Sequence, residues 1–318
     1  MMPLAEAEHF ARGPNWTWYI LFYFFLAGLS GGSYVIATLL RLRGDTADEA
    51  AARVGYYVAF PTMLVCPILL TLDLGQPLRF WHMLVNTTPG HVAPMFKYWS
   101  PMSVGAWALV VFSGFVTVSF LDALRRDGVL PRTLPRTAPT DRAGVLAKLW
   151  SLGGAVMGLF IAGYTGVLLA VSNQPVWSDT WALGGLFLAS GLSGSAALLG
   201  WLVRYRRDAR ARSGAFVRGE RFFVVLEVAL IVAFVVTLIP AGTLGRAFGF
   251  PWILLWLVAL VCALPWLVSR DRTRTSVAPD GTVAAAPRAV TAAPGLVLTT
   301  LALISVLAIR AAVIFSAR

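Results

Sequence analysis

Eight apolar stretches, each near the roughly 20 residues that carry a helix across a bilayer, leave this chain few folds to adopt. Hydrocarbon offers backbone groups no water, so each stretch must be a helix or part of a closed barrel. Runs this long and continuous select the helix. The eight are expected at Trp16–Leu40, Val54–Leu74, Ser100–Leu121, Leu149–Ser172, Thr180–Val203, Arg221–Pro240, Phe250–Val268 and Pro294–Ser316. The chain is 58% hydrophobic and 13% charged, well beyond the 45–50% apolar content of ordinary soluble domains. The fold class is therefore an all-α integral membrane protein of eight transmembrane helices, expected as two four-helix bundles.

The loops fix the orientation. The first carries Arg41, Arg43 and Arg53, and the third Arg125, Arg126, Arg132, Arg136, Arg142 and Lys148. The fifth carries six arginines between Arg204 and Arg218, and the seventh Arg270, Arg272, Arg274 and Arg288. The even loops hold only Arg79, Lys97 and Arg246. Positive loops stay in the cytoplasm, which puts both termini outside. The chain then divides into an outer segment 1–15, helices 1–3 at 16–122, a cytoplasmic linker 123–148, and helices 4–5 at 149–203. A basic loop 204–220, helices 6–7 at 221–268, a second cytoplasmic linker 269–293 and helix 8 at 294–318 complete it. The first span lacks the basic start and cleavage site of a signal peptide, so it is expected to be retained. The net charge of +11 lies in these loops, where it meets anionic lipid; no basic segment is long enough to bind nucleic acid.

Residue counts exclude several chemistries. Cys66 and Cys262 are far apart inside apolar runs, so no iron–sulfur or zinc site is expected. His9, His82 and His91 all fall outside the spans, whereas a bis-histidine haem needs two imidazoles within the bundle.

The polar residues inside the spans carry the chemistry, because such groups are expensive in lipid and usually functional. At 1.5 Å per residue, Tyr23 lies roughly 10 Å below the outer surface and Tyr164 roughly 12 Å. Asp73 closes helix 2, with His82 and Trp177 in the outer loops above. Two phenols at matched depth under such a rim suit a ring with two carbonyls. The glycines around Gly163 and Gly166 either leave room for a flat ligand or serve close helix packing. The structural alternatives are an interior tyrosine bonded to a neighbouring carbonyl, an Asp73–Arg79 salt bridge and an interfacial His82. Glu227, six residues into helix 6, is a proton inlet, an ion site or a partner of Arg221.

In helix 1 the run Tyr23-Phe24-Phe25-Leu26-Ala27-Gly28-Leu29-Ser30-Gly31-Gly32 and, after helix 2, Asp73-Leu74-Gly75-Gln76-Pro77-Leu78-Arg79-Phe80-Trp81-His82 form a series. It continues with Ser100-Pro101-Met102-Ser103-Val104-Gly105-Ala106-Trp107, Tyr164-Thr165-Gly166-Val167-Leu168-Leu169 and Asn173-Gln174-Pro175-Val176-Trp177. In this order the motifs resemble the NrfD/PsrC family, the membrane subunits of polysulfide-reductase-like complexes. The second half matches only in span count and in an acidic residue in helix 6. The resemblance implies a haem-free anchor in the bacterial cytoplasmic membrane that exchanges electrons between menaquinone or ubiquinone and an iron–sulfur subunit. That partner would dock at the outer face and serve a molybdopterin catalytic subunit. Tyr164 would be the main quinone donor, with Asp73 beside the same site. Tyr23 stands where some relatives have histidine, and Ile20 where some have a polar residue. Asp73 and His82 would exchange protons, with Glu227 supplying them from the cytoplasm. The competing reading is a proton- or ion-coupled secondary transporter using Asp73 and Glu227, though no internal repeat is visible.

Overall fold

The computed structural model describes residues 16–43, 46–88, 90–130, 144–209, 213–268, 275–277, 283–285 and 292–317. The expected outer segment 1–15, positions 131–143 of the first linker and most of the 269–293 linker lie outside them. Nine α-helices occur among the described residues: α1 (Trp18–Arg43), α2 (Thr46–Asp73), α3 (Pro101–Arg126), α4 (Val145–Ala170) and α5 (Leu183–Leu202) in the first part. They continue with α6 (Ser213–Ala241), a one-turn α7 (Leu244–Phe248), α8 (Trp252–Val268) and α9 (Ala292–Ser316). Seven are long and apolar enough to cross a membrane, and α8 is apolar but shorter, at 17 residues. The protein is all-helical in its spans and crosses the membrane several times.

Two helices begin well before their apolar runs. α2 starts at Thr46 rather than near Val54, and α6 at Ser213 rather than near Arg221. Charge ends a membrane run without ending a helix, because outside hydrocarbon Glu49 and Arg53 find ionic partners. The connection after α2 is more ordered than an aromatic loop. Gly75, at φ 70°, stops the helix, Pro77 starts a 3-10 turn over Pro77–Met83, and a hairpin follows. Its strands β1 (Val85–Thr88) and β2 (His91–Pro94) run antiparallel, with Val85 opposite Pro94. A smaller antiparallel pair, β3 (Thr275–Val277) and β4 (Val283–Ala285), lies between α8 and α9.

Helix α1 is the most enclosed element, packing on α2, α4, α5 and α9. Neighbour contacts close one circuit through α1, α2, α3 and α4, and another through α5, α6, α8 and α9. The circuits meet where α1 and α4 lie on α5 and α1 on α9. Small residues make these seams tight. A Cβ on Gly31 would strike the Gly158 carbonyl, and one on Gly191 would stand 3.0–3.2 Å from the Gly28 backbone.

At one end, ion pairs lock the first circuit. Arg41 bonds Asp122 at 2.7 Å and pairs with Glu49 at 3.6 Å, and Arg126 reaches the same two carboxylates. Arg206, beyond α5, grips Asp127 through two bonds of 2.7 and 2.9 Å, and Arg53 and Tyr57 converge on that carboxylate. Asp208 joins through Arg53 and Arg206. These contacts bring the first loop, the end of α3 and the segment after α5 to one face, as the alternating arginines predict.

Candidate functional site

Tyr23 and Tyr164 are brought together. Tyr23 is 2% exposed on α1 and Tyr164 7% exposed on α4, two helices that pack on each other. Cys66 of α2 completes the group; its thiol lies 4.0 Å from the Tyr23 carbonyl. The two hydroxyls differ. Tyr164 donates to the Pro101 carbonyl at the start of α3, at 2.5 Å, and its ring lies over Gly105, where any side chain would collide with it. The Tyr23 hydroxyl has no hydrogen-bond partner among the described residues. The residue is buried as a whole, but its hydroxyl oxygen is not among the fully enclosed unbonded atoms, so it stands free to meet a ligand or water.

The rim residues separate from this pair. Asp73 accepts a 2.8 Å bond from Thr17, just before α1, and no Asp73–Arg79 bridge occurs among the described residues. His82 shares a 3.2 Å hydrogen bond with the Thr87 hydroxyl through Nδ1, and its ring stacks on Trp81 at 3.9 Å. It therefore belongs to the hairpin connection. Trp177 is 1% exposed, donates to the Val313 carbonyl at 2.7 Å and stacks on Trp16 at 5.0 Å. Its single donor is spent in pinning the loop after α4 to α9, so it turns inward rather than facing a ligand. Gly163 faces the Gly184 carbonyl across the α4–α5 seam, and Gly166 the Leu183 carbonyl. They serve helix approach.

Glu227 is buried in α6, at 5% exposure, and the charged side chain acting on it is Arg310 rather than Arg221. Reasoning from sequence missed Arg310. It is the sole charged residue of α9 and 0% exposed. Its guanidinium donates 2.7 Å to the Ser190 hydroxyl, 2.9 Å to the Phe187 carbonyl and 3.2 Å to its own Val306 carbonyl. It also lies 5.1 Å over the Phe187 ring. Gly28 of α1 leaves the space it occupies, because a Cβ there would come within 2.6 Å of Nη2. Arg310 Nε remains without a hydrogen bond, as does Oε1 of Glu220, a second buried carboxylate one heptad before Glu227. Glu220 interacts with Glu227 and with Arg204. Glu220, Glu227 and Arg310 are thus buried ionisable groups of α6 and α9, with no ion pair between Glu227 and Arg310. The signal available beforehand was a single arginine in an apolar run, which by its spacing alone is equally able to reach toward a membrane surface.

The class these features define is a multi-pass helical membrane protein with a phenolic cluster in one circuit of helices and buried ionisable groups in the other. The chain belongs to the polysulphide reductase family, NrfD, whose model matches residues 6–278. It is 27% identical over 223 residues to a polysulfide reductase subunit of Wolinella succinogenes, a match covering 68% of both sequences. Protein NrfD of Escherichia coli is 26% identical over 305 residues, covering 87% of this sequence and 91% of that one. A tetrathionate reductase subunit of Salmonella typhimurium is 26% identical over 254 residues, covering 80% and 66%.

Proposed function

We propose that this chain is the haem-free, quinone-reactive membrane anchor of a bacterial respiratory reductase complex, exchanging electrons between menaquinone or ubiquinone and a partner iron–sulfur subunit. The observation that carries the reading is the pair of largely buried tyrosines, Tyr23 with a hydroxyl that makes no hydrogen bond among the described residues and Tyr164 bonded only to the Pro101 carbonyl. That donor set fits a two-carbonyl ring. Quinone, when bound, supplies two-electron, two-proton redox chemistry. Tyr23 offers a free donor, and Tyr164 becomes one on releasing the Pro101 carbonyl. Asp73 and His82, at the mouth of the first circuit, would exchange protons with water.

The reading takes α8 as the eighth span, the two circuits as four-helix bundles, and the arginine-rich end as cytoplasmic, with both termini outside. The iron–sulfur subunit would then dock outside, near the Phe80–Trp81 turn, and pass electrons to or from a molybdopterin subunit. Support for a complex comes from the reductase-subunit names of the Wolinella and Salmonella relatives. In this scheme Glu220 and Glu227 bring protons inward from the cytoplasmic end. The same buried charges are what an ion-coupled transporter would use, which keeps that second reading alive.

Replacing Tyr164 with Phe removes the donor while preserving the ring over Gly105. Quinol-linked turnover should fall about 100-fold or more, the scale of a lost proton-transfer group, with partner subunits still co-purifying. Unchanged turnover would sink the assignment. Purification in mild detergent, assaying iron, molybdenum or tungsten, and quinone, separates the two readings. A lone protein without metal or quinone favours the transporter.

A further inference from the structure

At the arginine-rich end, α1 and α6 both pack on α5 and leave an apolar groove of about 160 Å³ between them. Ile36 and Leu40 of α1 and Phe216 and Phe223 of α6 form its walls, and Arg43 stands at its lip. A cavity of roughly 150 Å³ lined by such side chains accepts a six-carbon guest such as benzene. The arginines around it are engaged. Arg41 and Arg126 meet Asp122 and Glu49, while Arg53 and Arg206 meet Asp127 and Asp208. Arg43 is exposed and makes no ion pair among the described residues. Glu220, the carboxylate nearest the groove in sequence, is 1% exposed and lies inside. The groove therefore pairs an apolar slot with an exposed cation that makes no ion pair among the described residues, at the end of a membrane helix.

We propose that this groove binds an anionic phospholipid, with part of one acyl tail between α1 and α6 and the phosphate on the Arg43 guanidinium. The chemistry is complementary at both ends. A guanidinium recognises phosphate through paired donors, and the slot offers an acyl tail only apolar contact. The bound lipid fills the gap between α1 and α6 and adds a contact between the two circuits beside those that α5 and α9 make. The inference stands independently of the quinone reading, because none of these residues belongs to the phenolic cluster.

The test is native mass spectrometry of the full-length protein in mixed micelles of phosphatidylglycerol and phosphatidylcholine with matched tails. Wild type should retain one phosphatidylglycerol preferentially. Arg43→Gln should lower that preference about five-fold, the equivalent of one basic contact with an anionic surface, while still holding lipid. Gly219→Leu should expel both lipids. A Cβ at Gly219 meets nothing within 4 Å, so the variant fills the groove without disturbing the helices. Equal retention of the two lipids, or an unchanged preference in Arg43→Gln, overturns the proposal. So does inorganic phosphate displacing phosphatidylglycerol at equal concentration, or quinone as the species that Gly219→Leu expels.

Discussion

The two circuits of helices handle charge in opposite ways. In the first, Arg41, Arg53 and Arg126 meet carboxylates at the arginine-rich end, where Arg206 from beyond α5 joins them, and the phenols Tyr23 and Tyr164 lie in the interior. In the second, Glu227 and Arg310 lie within the spans without an ion pair between them, and Arg310 is held by the Ser190 hydroxyl and the Phe187 carbonyl. Paired charge near water holds elements in place at modest energy. Thinly paired charge in the interior is expensive and persists where a protein uses it. The first arrangement is architecture; the second is available for chemistry.

Removing one partner from each region measures that difference. Arg310→Met removes a buried guanidinium bonded to the Ser190 hydroxyl and the Phe187 carbonyl and should destabilise the protein by about 1.5–3 kcal/mol, read as thermal unfolding in detergent. A change no larger than that of a rim arginine would erase the distinction. Gly28→Ala attacks the same residue from the other side by filling the notch for its guanidinium. It should cost about 1–3 kcal/mol, with Arg310→Met largely abolishing the penalty in the double variant. Additive losses would mean that Gly28 serves only the α1–α5 approach.

Arg206→Gln, by contrast, should cost about 1 kcal/mol, because both partners remain partly open to solvent. Its signature is pH dependence. Burial pushes the Asp127 carboxyl up, but bonds from Arg206 and Tyr57 and the charge of Arg53 outweigh burial and hold it below its ordinary 3.8. Asp208 is likewise held low, chiefly by Arg206. A depressed carboxylate contributes stability that is complete above its unfolded value and is lost as pH falls through its native one. Melting temperature should therefore be flat in this network down to about pH 4 and fall below it, and Arg206→Gln should blunt that fall. An identical acid limb in wild type and variant would remove Asp127 from the account.

The spans and the charged face are legible because apolar length and loop arginines are local properties of the sequence. The end points of α2 and α6 are not, since a charged residue marks where an apolar run stops and not where a helix stops; Thr46–Arg53 continues α2 with acidic residues in its first turn. Tyr23 and Tyr164 are legible as a pair from matched depth. Trp177 is committed to the Val313 carbonyl and to Trp16, contacts that sequence does not show because it gives a residue's depth and not the direction it faces. Arg310 escapes for the same reason: its partners on α5 and on its own helix, and a notch on α1, exist only after folding.

That notch bears on how the protein enters its membrane. An arginine near the middle of a helix costs about 2.5–3.5 kcal/mol to insert on its own. Helix α9 emerges from the ribosome after α1 and α5, when Ser190, Phe187 and the hollow at Gly28 already exist to receive it. Those partners lower the cost of bringing Arg310 into the bilayer, so α9 should enter more readily where α1 and α5 are already correctly paired.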